Sequence, residues 1–260
     1  MTDGTSMPPT RRAALVAGLL YFSTHITSVA AVIAYRSALG PDGTPVSAAA
    51  GDRVLLGVAL EVALALGVLG TGVVLLPVLR PHGPALAHGF SALRTLEAAV
   101  IAAGTLPMVA LVWLHSAGTT GAGTAGAEAA ALVAAHEAAF LVGQGLIISV
   151  NTLVLASVLR ISGLVPRWIS TLGLIGGAGV LVGNTAQLFG AIDRSGALAG
   201  LLAVPAFAFE ICFAGYLVLR GFRTKRTAVD PMSGPGGSGA AGGLGVDPAE
   251  LLGGQRLRRG

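Results

Sequence analysis

Six ionisable residues stand inside long apolar stretches of the chain: His25, Glu61, Arg94, Glu97, Glu137 and Glu210. His136, Gln144, Asn151, Asn184 and Gln187 add uncharged polar groups in the same kind of setting. A charge in the middle of a hydrocarbon layer costs roughly 2.5–3.5 kcal/mol on insertion scales, so each such residue must be paired, face a cavity or be neutral. Carboxylates and imidazoles held this way can exchange protons or grip a polar solute. Arg94 and Glu97 are three residues apart, which puts them on one face of a helix. At about 1.5 Å of rise per residue, Arg94 and Glu210 come within about 3 Å of each other in depth, each roughly 8 to 10 residues from the cytoplasmic end of its helix. The sequence therefore predicts one polar cluster of Arg94, Glu97 and Glu210, joined by His25 and Asn151. A second cluster, nearer the external side, is expected from Glu61, His136, Glu137, Asn184 and Gln187. Two readings apply to the first cluster. A buried ion pair that sets helix register is the plainer one; a proton or substrate site between helices is the other, because one arginine faces two carboxylates.

Motifs that would name a reaction are absent from the sequence. His136-Glu137 opens like a zinc-protease HExxH, but Phe140 stands where the second histidine is needed. Residues 237–242 read GxGxxG, yet they lie in a Gly-rich tail with no strand before them. There is no Walker A and no GxSxG. His82 and His88 flank an internal loop and His115 lies at the external end of the third helix, so the first two lack a third ligand for a metal. A single cysteine, Cys212, excludes an internal disulfide and a thiolate metal site. No catalytic residue, cofactor or metal is expected.

The elements that must position these residues follow from composition. Of 260 residues, 53% are hydrophobic and 11% charged, against about 25% charged in soluble domains. So little charge cannot cover a water-facing surface, and lipid must be the solvent for most of the chain. The net charge of +4 is not a nucleic-acid footprint, because the cations flank apolar runs in the manner of topology signals. Apolar runs near 13–35, 54–79, 86–114, 132–159, 167–191 and 197–220 are each long enough to cross about 30 Å of hydrocarbon as helix. The fold class expected is an all-α integral membrane bundle of six transmembrane helices.

With the N-terminus in the cytoplasm, the inner side carries Arg11, Arg12, Arg80, Arg160, Arg167, Arg220, Arg223, Lys225, Arg226, Arg256, Arg258 and Arg259. The outer side then carries only Arg36, Arg53 and Arg194. That asymmetry predicts both termini inside. The first helix has the look of a signal peptide, with Arg11-Arg12 before an apolar run, but the five further spans favour an uncleaved helix. The domain reading is a cytoplasmic N-terminus at 1–12, a six-helix domain at 13–223 and a disordered cytoplasmic tail at 224–260. Asp247, Pro248 and Glu250 could start one short helix in that tail. Gly173, Gly177, Gly179 and Gly183 recur at small-residue spacing and point to close helix packing, within the bundle rather than between protomers. Pro107 and Pro205 are expected to kink helices three and six.

Four segments together resemble the DUF4386 family of bacterial multi-pass membrane proteins. They are Arg12 with Ala17-Gly18-Leu19-Leu20-Tyr21, Leu93-Arg94 with Glu97, Gly163-Leu164-Val165-Pro166-Arg167-Trp168 running into Leu172-Gly173, and Pro205 with Glu210 and Leu217 to Gly221. The likeness spans roughly residues 11–223 and excludes the tail. It implies a six-helix membrane fold in a bacterial plasma membrane and brings no substrate, cofactor or catalytic residue. The partner expected is the lipid bilayer, with no nucleic acid. The leading functional expectation is a non-enzymatic membrane component with a buried Arg/Glu cluster. A small-molecule or proton-coupled transporter is the first alternative, and an intramembrane enzyme acting on a lipid or quinone the second. A water-filled cavity reaching Glu210 would favour transport, a dry, fully paired cluster would favour the structural role, and a lateral lipid-facing slot ending at the cluster would favour an enzyme.

Overall fold

The computed structural model describes residues 7–117, apart from 42, 46 and 48, followed by 125–193 and 196–223. The tail from 224 onward, with the helix start at Asp247, and Arg194 lie outside the described residues. Helices α1 (Pro9–Ala38) and α2 (Ala50–Leu79) are followed by a 3-10 turn at Arg80–His82. Then come α3 (Pro84–Gly104), α4 (Leu106–Ser116) and α5 (Ala125–Phe140). A π-helical segment, Leu141–Ile147, leads into α6 (Ile148–Ser162), and α7 (Arg167–Leu188) and α8 (Ala197–Leu219) complete the domain. Among the described residues these form six runs long and apolar enough to cross a membrane. They are α1, α2 with its turn, α3 with α4, α5 through α6, α7, and α8. The only extended pairing among the described residues is a single bridge between Leu39 and Pro45.

Each expected span overlaps one of these runs. The fourth begins at Gly126 rather than 132, because the alanines around Glu128 are strong helix formers that carry the helix past its apolar stretch. The fifth ends at Leu188 rather than 191, where Gly190 turns the chain with φ 70°. Proline behaves in two ways. Pro107 has no N–H, and the third span breaks just before it. Thr105 N–H donates to the Ala102 carbonyl at 3.2 Å and the Thr105 hydroxyl to the same oxygen at 2.7 Å. Pro205 breaks nothing, and α8 runs on through it. Its backbone is pressed against α7 at Gly176, and close packing of this kind supports a helix that has lost one internal bond.

Every span packs on its neighbours in the chain, and α8 closes on α1, so the six form a ring. Glycine sets the closest approaches. A Cβ on Gly176 would stand 2.5 Å from Ala206 N and 2.6 Å from its Cα. Gly173 and Gly177 would meet Ala156, Phe209 and Leu153, and Gly179 and Gly183 would meet Leu202. The small-residue stripe of α7 is thus spent within the bundle, between α6 and α8. At the closure of the ring, Arg11 donates to the carbonyls of Leu217 at 2.8 Å and Val218 at 2.7 Å. It satisfies acceptors that the end of α8 leaves open and places a cation at the negative end of the helix dipole.

The distribution of polarity is the reverse of a soluble protein. Large apolar side chains such as Leu19, Ile26, Leu66 and Val182 face outward, while Arg94, Glu97, Asn151, Thr71 and Ser170 are buried. At the end of the bundle that carries Arg11, Arg80, Arg160 and Arg167, the interior is filled by Tyr21, Leu75, Leu79, Phe90, Leu159, Phe213 and Leu217.

The Gly176 contact predicts a contrast between two substitutions. Gly176→Ala forces α7 and α8 apart and should destabilise by about 1–3 kcal/mol. Gly89→Ala meets nothing within 4 Å and should be neutral or stabilise by up to about 1 kcal/mol through helix propensity. Thermal unfolding in detergent checks this; equal melting temperatures for the two variants would refute the packing assignment.

Candidate functional site

Arg94 is the centre of one cluster. Gly72 on α2 has no side chain where its Cβ would lie 2.9 Å from Arg94 Cβ, so α3 lies close enough for the arginine to reach into the ring. Its Nη1 donates to Glu97 at 3.3 Å (Oε1) and 3.2 Å (Oε2), and its Nη2 donates to the Tyr21 hydroxyl at 2.7 Å. Nη2 also lies 3.7 Å from Glu210 Oε1. The guanidinium stands over the rings of Tyr21 and Phe90, where the π faces favour a cation. Glu97 Oε2 accepts from Asn151 Nδ2 at 2.9 Å. His25 completes the group, with Nε2 3.2 Å from Glu210 Oε2 and Nδ1 2.9 Å from the Tyr21 carbonyl. Glu97 and Asn151 are fully buried and Arg94 is 4% exposed, whereas His25 and Glu210 retain 15% and 12%. Arg94 Nε and Asn151 Oδ1 are buried without a hydrogen-bond partner.

The five residues anticipated for this cluster, His25, Arg94, Glu97, Asn151 and Glu210, therefore meet, drawn from α1, α3, α6 and α8. A chamber of about 260 Å³ reaches His25, Arg94, Glu97 and Glu210 and is also lined by Thr24, Ser28, Gln144 and Ser149.

Toward the opposite end of the bundle lies a larger chamber of about 990 Å³, at the top of the size range of small-molecule pockets. Glu61 projects into it from α2. The Tyr35 hydroxyl donates to Glu61 Oε2 at 2.9 Å, and His136 Nε2 lies 3.5 Å from Glu61 Oε1. His136 Nδ1 is 2.9 Å from the Gly104 carbonyl. That carbonyl sits at the break in the third span, beside Pro107. Gly57 leaves the space that the Tyr35 ring occupies, since a Cβ there would come within 2.4 Å of it. Glu137, Asn184 and Gln187 line the same chamber. Asn184 folds its amide back to the Val180 carbonyl at 2.8 Å and packs over Gly145. Arg36 and Glu137 are exposed at its rim.

The two chambers adjoin, because Gln144, Val180 and Ala203 line both. Gln144 sits in the middle of the π-helical segment. The wider turn there shifts the register of the span, a device often found at functional positions. Gly143 packs on Val100 and Ile101, and Gly145 on Asn184, so glycines on both sides let the segment lie close to its neighbours. Among the described residues no group of three or more His, Cys, Asp or Glu could hold a metal.

The model of a domain of unknown function, DUF4386, matches residues 16–221. The chain belongs to the DUF4386 family. The match contains every residue of both clusters and both chambers, so the polar interior is part of the DUF4386 domain itself. No curated protein and no solved structure matches the chain.

Sequence reasoning left out Tyr21 and Tyr35, and it noted Gln144 without assigning it to a cluster. The signal for the tyrosines was present. Tyr21, His25, Ser28, Val32 and Tyr35 recur at alternating spacings of four and three, which is one face of α1. Nothing in the sequence announces the π segment.

The pairing predicts a double-mutant cycle. Arg94→Leu should cost about 3–5 kcal/mol, since it strands the buried Glu97, Glu97→Leu should cost less, since Glu210 still faces Arg94, and the double variant should recover part of the Arg94→Leu loss. Unfolding of the four proteins in detergent measures the coupling, and purely additive losses would mean the two residues act independently.

Proposed function

We propose that this DUF4386 protein is a membrane transporter of a small polar solute. The observation that supports this reading is the pair of adjoining chambers. Both have exposed residues in their lining, Arg36 and Glu137 in the larger and Val29 and Phe207 in the smaller; the smaller reaches His25, Arg94, Glu97 and Glu210, and apolar side chains from Tyr21 to Leu217 fill the interior toward the arginine-rich end. A transporter needs a polar site near mid-membrane with access from one side at a time. Ionisable residues facing a cavity at membrane depth mark such paths. With the arginine-rich end in the cytoplasm of a bacterial plasma membrane, the larger chamber lies toward the outer side.

The reading as a non-enzymatic component held in register by an ion pair draws on Arg94 and Glu97, which are buried and directly bonded. It accounts for those two residues. It gives no use to the chamber beside His25 and Glu210, nor to the larger one that adjoins it.

Cysteine labelling in proteoliposomes tests the path. In a Cys212→Ser background, Ser28→Cys should react with a cationic, membrane-impermeant thiosulfonate added from the Arg36 side and not from the Arg11 side. A panel of amino acids, amines, organic acids and sugars, applied as concentration jumps, should contain a class that is taken up and that slows this labelling. Ala203→Trp, placing a large ring where both chambers are lined by Ala203, should abolish uptake with little loss of thermal stability. A cysteine at 28 that no reagent reaches, together with no uptake of any class, would reject the proposal.

A further inference from the structure

The two histidines of the interior are held in the same way, and the arrangement bears on where their protons sit. His25 Nδ1 faces the Tyr21 carbonyl at 2.9 Å and His136 Nδ1 faces the Gly104 carbonyl at 2.9 Å. A carbonyl oxygen can only accept, so in both rings Nδ1 carries a hydrogen. In each, Nε2 then turns to a carboxylate, Glu210 at 3.2 Å and Glu61 at 3.5 Å. A neutral ring protonated on Nδ1 presents a lone pair at Nε2. Lone pair against carboxylate oxygen is repulsive, and only a proton between the two atoms makes the contact favourable.

Charge balance leads to the same place by a separate route. Around Glu210, the groups in contact are Arg94 and His25, and Arg94 in turn is bonded to Glu97 and Tyr21. With both carboxylates ionised and His25 neutral, Arg94 leaves one negative charge unmatched in a buried site. One further proton, shared by His25 and Glu210, makes the cluster neutral. Around Glu61, the groups in contact are the Tyr35 hydroxyl and His136, with Arg36 and Glu137 at the chamber rim. Glu61 is 3% exposed, and a proton shared with His136 neutralises it. Uncompensated charge in such places is expensive.

We infer that each chamber binds one exchangeable proton between a histidine Nε2 and a carboxylate, at His136–Glu61 in the larger chamber and His25–Glu210 in the smaller. The two sites lie in adjoining chambers that both reach Gln144. Resting on the transporter reading, this makes protons the coupling ion. A solute cation entering the larger chamber would take the place of the proton on Glu61 and release it to water. The proton would return from water when the cation leaves, with no bond in the solute made or broken.

Nitrogen-15 NMR of histidine-labelled protein in lipid nanodiscs tests the protonation directly. His25 and His136 signals are assigned by their loss in His25→Gln and His136→Gln. At neutral pH, Nδ1 of both rings should be protonated and Nε2 should be protonated or strongly hydrogen-bonded. Glu210→Gln should convert His25 alone to the neutral Nδ1–H form, because a carboxamide N–H can donate to Nε2 and no extra proton is then required. Glu61→Gln should do the same to His136 alone. The wild-type spectrum, assigned from the two histidine variants, decides the matter even where a glutamate variant folds poorly. An Nε2 that is unprotonated and unbonded in either ring, or an Nε2–H tautomer with a bare Nδ1, would overturn the inference. If both bridging protons are found and no solute crosses the membrane, the inference stands and the transporter reading falls. If solute crosses while the bridging protons are missing, the inference alone falls.

Discussion

An arginine that cannot lose its charge lies in the interior of a bundle whose outer surface is hydrocarbon. Arg94 is 4% exposed, its guanidinium stays protonated under any ordinary condition, and lipid offers it nothing. Much of the interior can be understood as the response. Glu97 supplies the matching charge from the same helix, Tyr21 and Glu210 reach it from the first and last spans, and Asn151 holds Glu97 from the fourth. The aromatic faces of Tyr21 and Phe90 take up the sides of the guanidinium. One charge thus ties together spans that are far apart in the chain.

The ring architecture follows from the same constraint combined with small residues. Polar groups must point inward, so the helices must surround them; glycines at Gly57, Gly72, Gly173 and Gly176 let the walls come close where the side chains opposite are large or the backbone itself is the contact. Arg11 closes the ring by bonding the last carbonyls of α8. Where the walls are not drawn together, along α1, the π segment, α7 and α8, the chambers remain. The π segment is notable because it puts a polar amide, Gln144, at the junction, where an uninterrupted α-helix would carry the span in a different register.

A polar interior of this kind serves two ends. Arg94, Glu97 and Asn151 are deep and bonded to each other, and they act on the stability and register of the helices. His25, Glu210, Glu61 and His136 border open space and have partners that a proton or a solute can displace. The deep, bonded residues hold the bundle together, and those beside the chambers are the ones on which the proposed function draws. Belonging to the DUF4386 family carries the fold, and the function proposed here stands on the chambers.

The sequence by itself determined that the chain is helical and lipid-facing, because a charge-poor surface and runs of this length have no other solution in a bilayer. It also determined that Arg94 and Glu97 share a face, and helical rise was enough to bring Glu210 to their depth. Local periodicity and chain reach carry that information. The sequence also carried Tyr21 and Tyr35 on the His25 face of α1, but which groups they meet depends on the opposite wall, which that stretch of sequence does not contain. The tertiary structure alone decided that the third span breaks at Thr105 while α8 runs through Pro205, that Gln144 sits on a π turn, and that both histidines aim Nδ1 at a carbonyl and Nε2 at a carboxylate. These depend on which helix backs which, a matter of side-chain volume and glycine gaps on neighbouring walls, and no single stretch of sequence contains both walls.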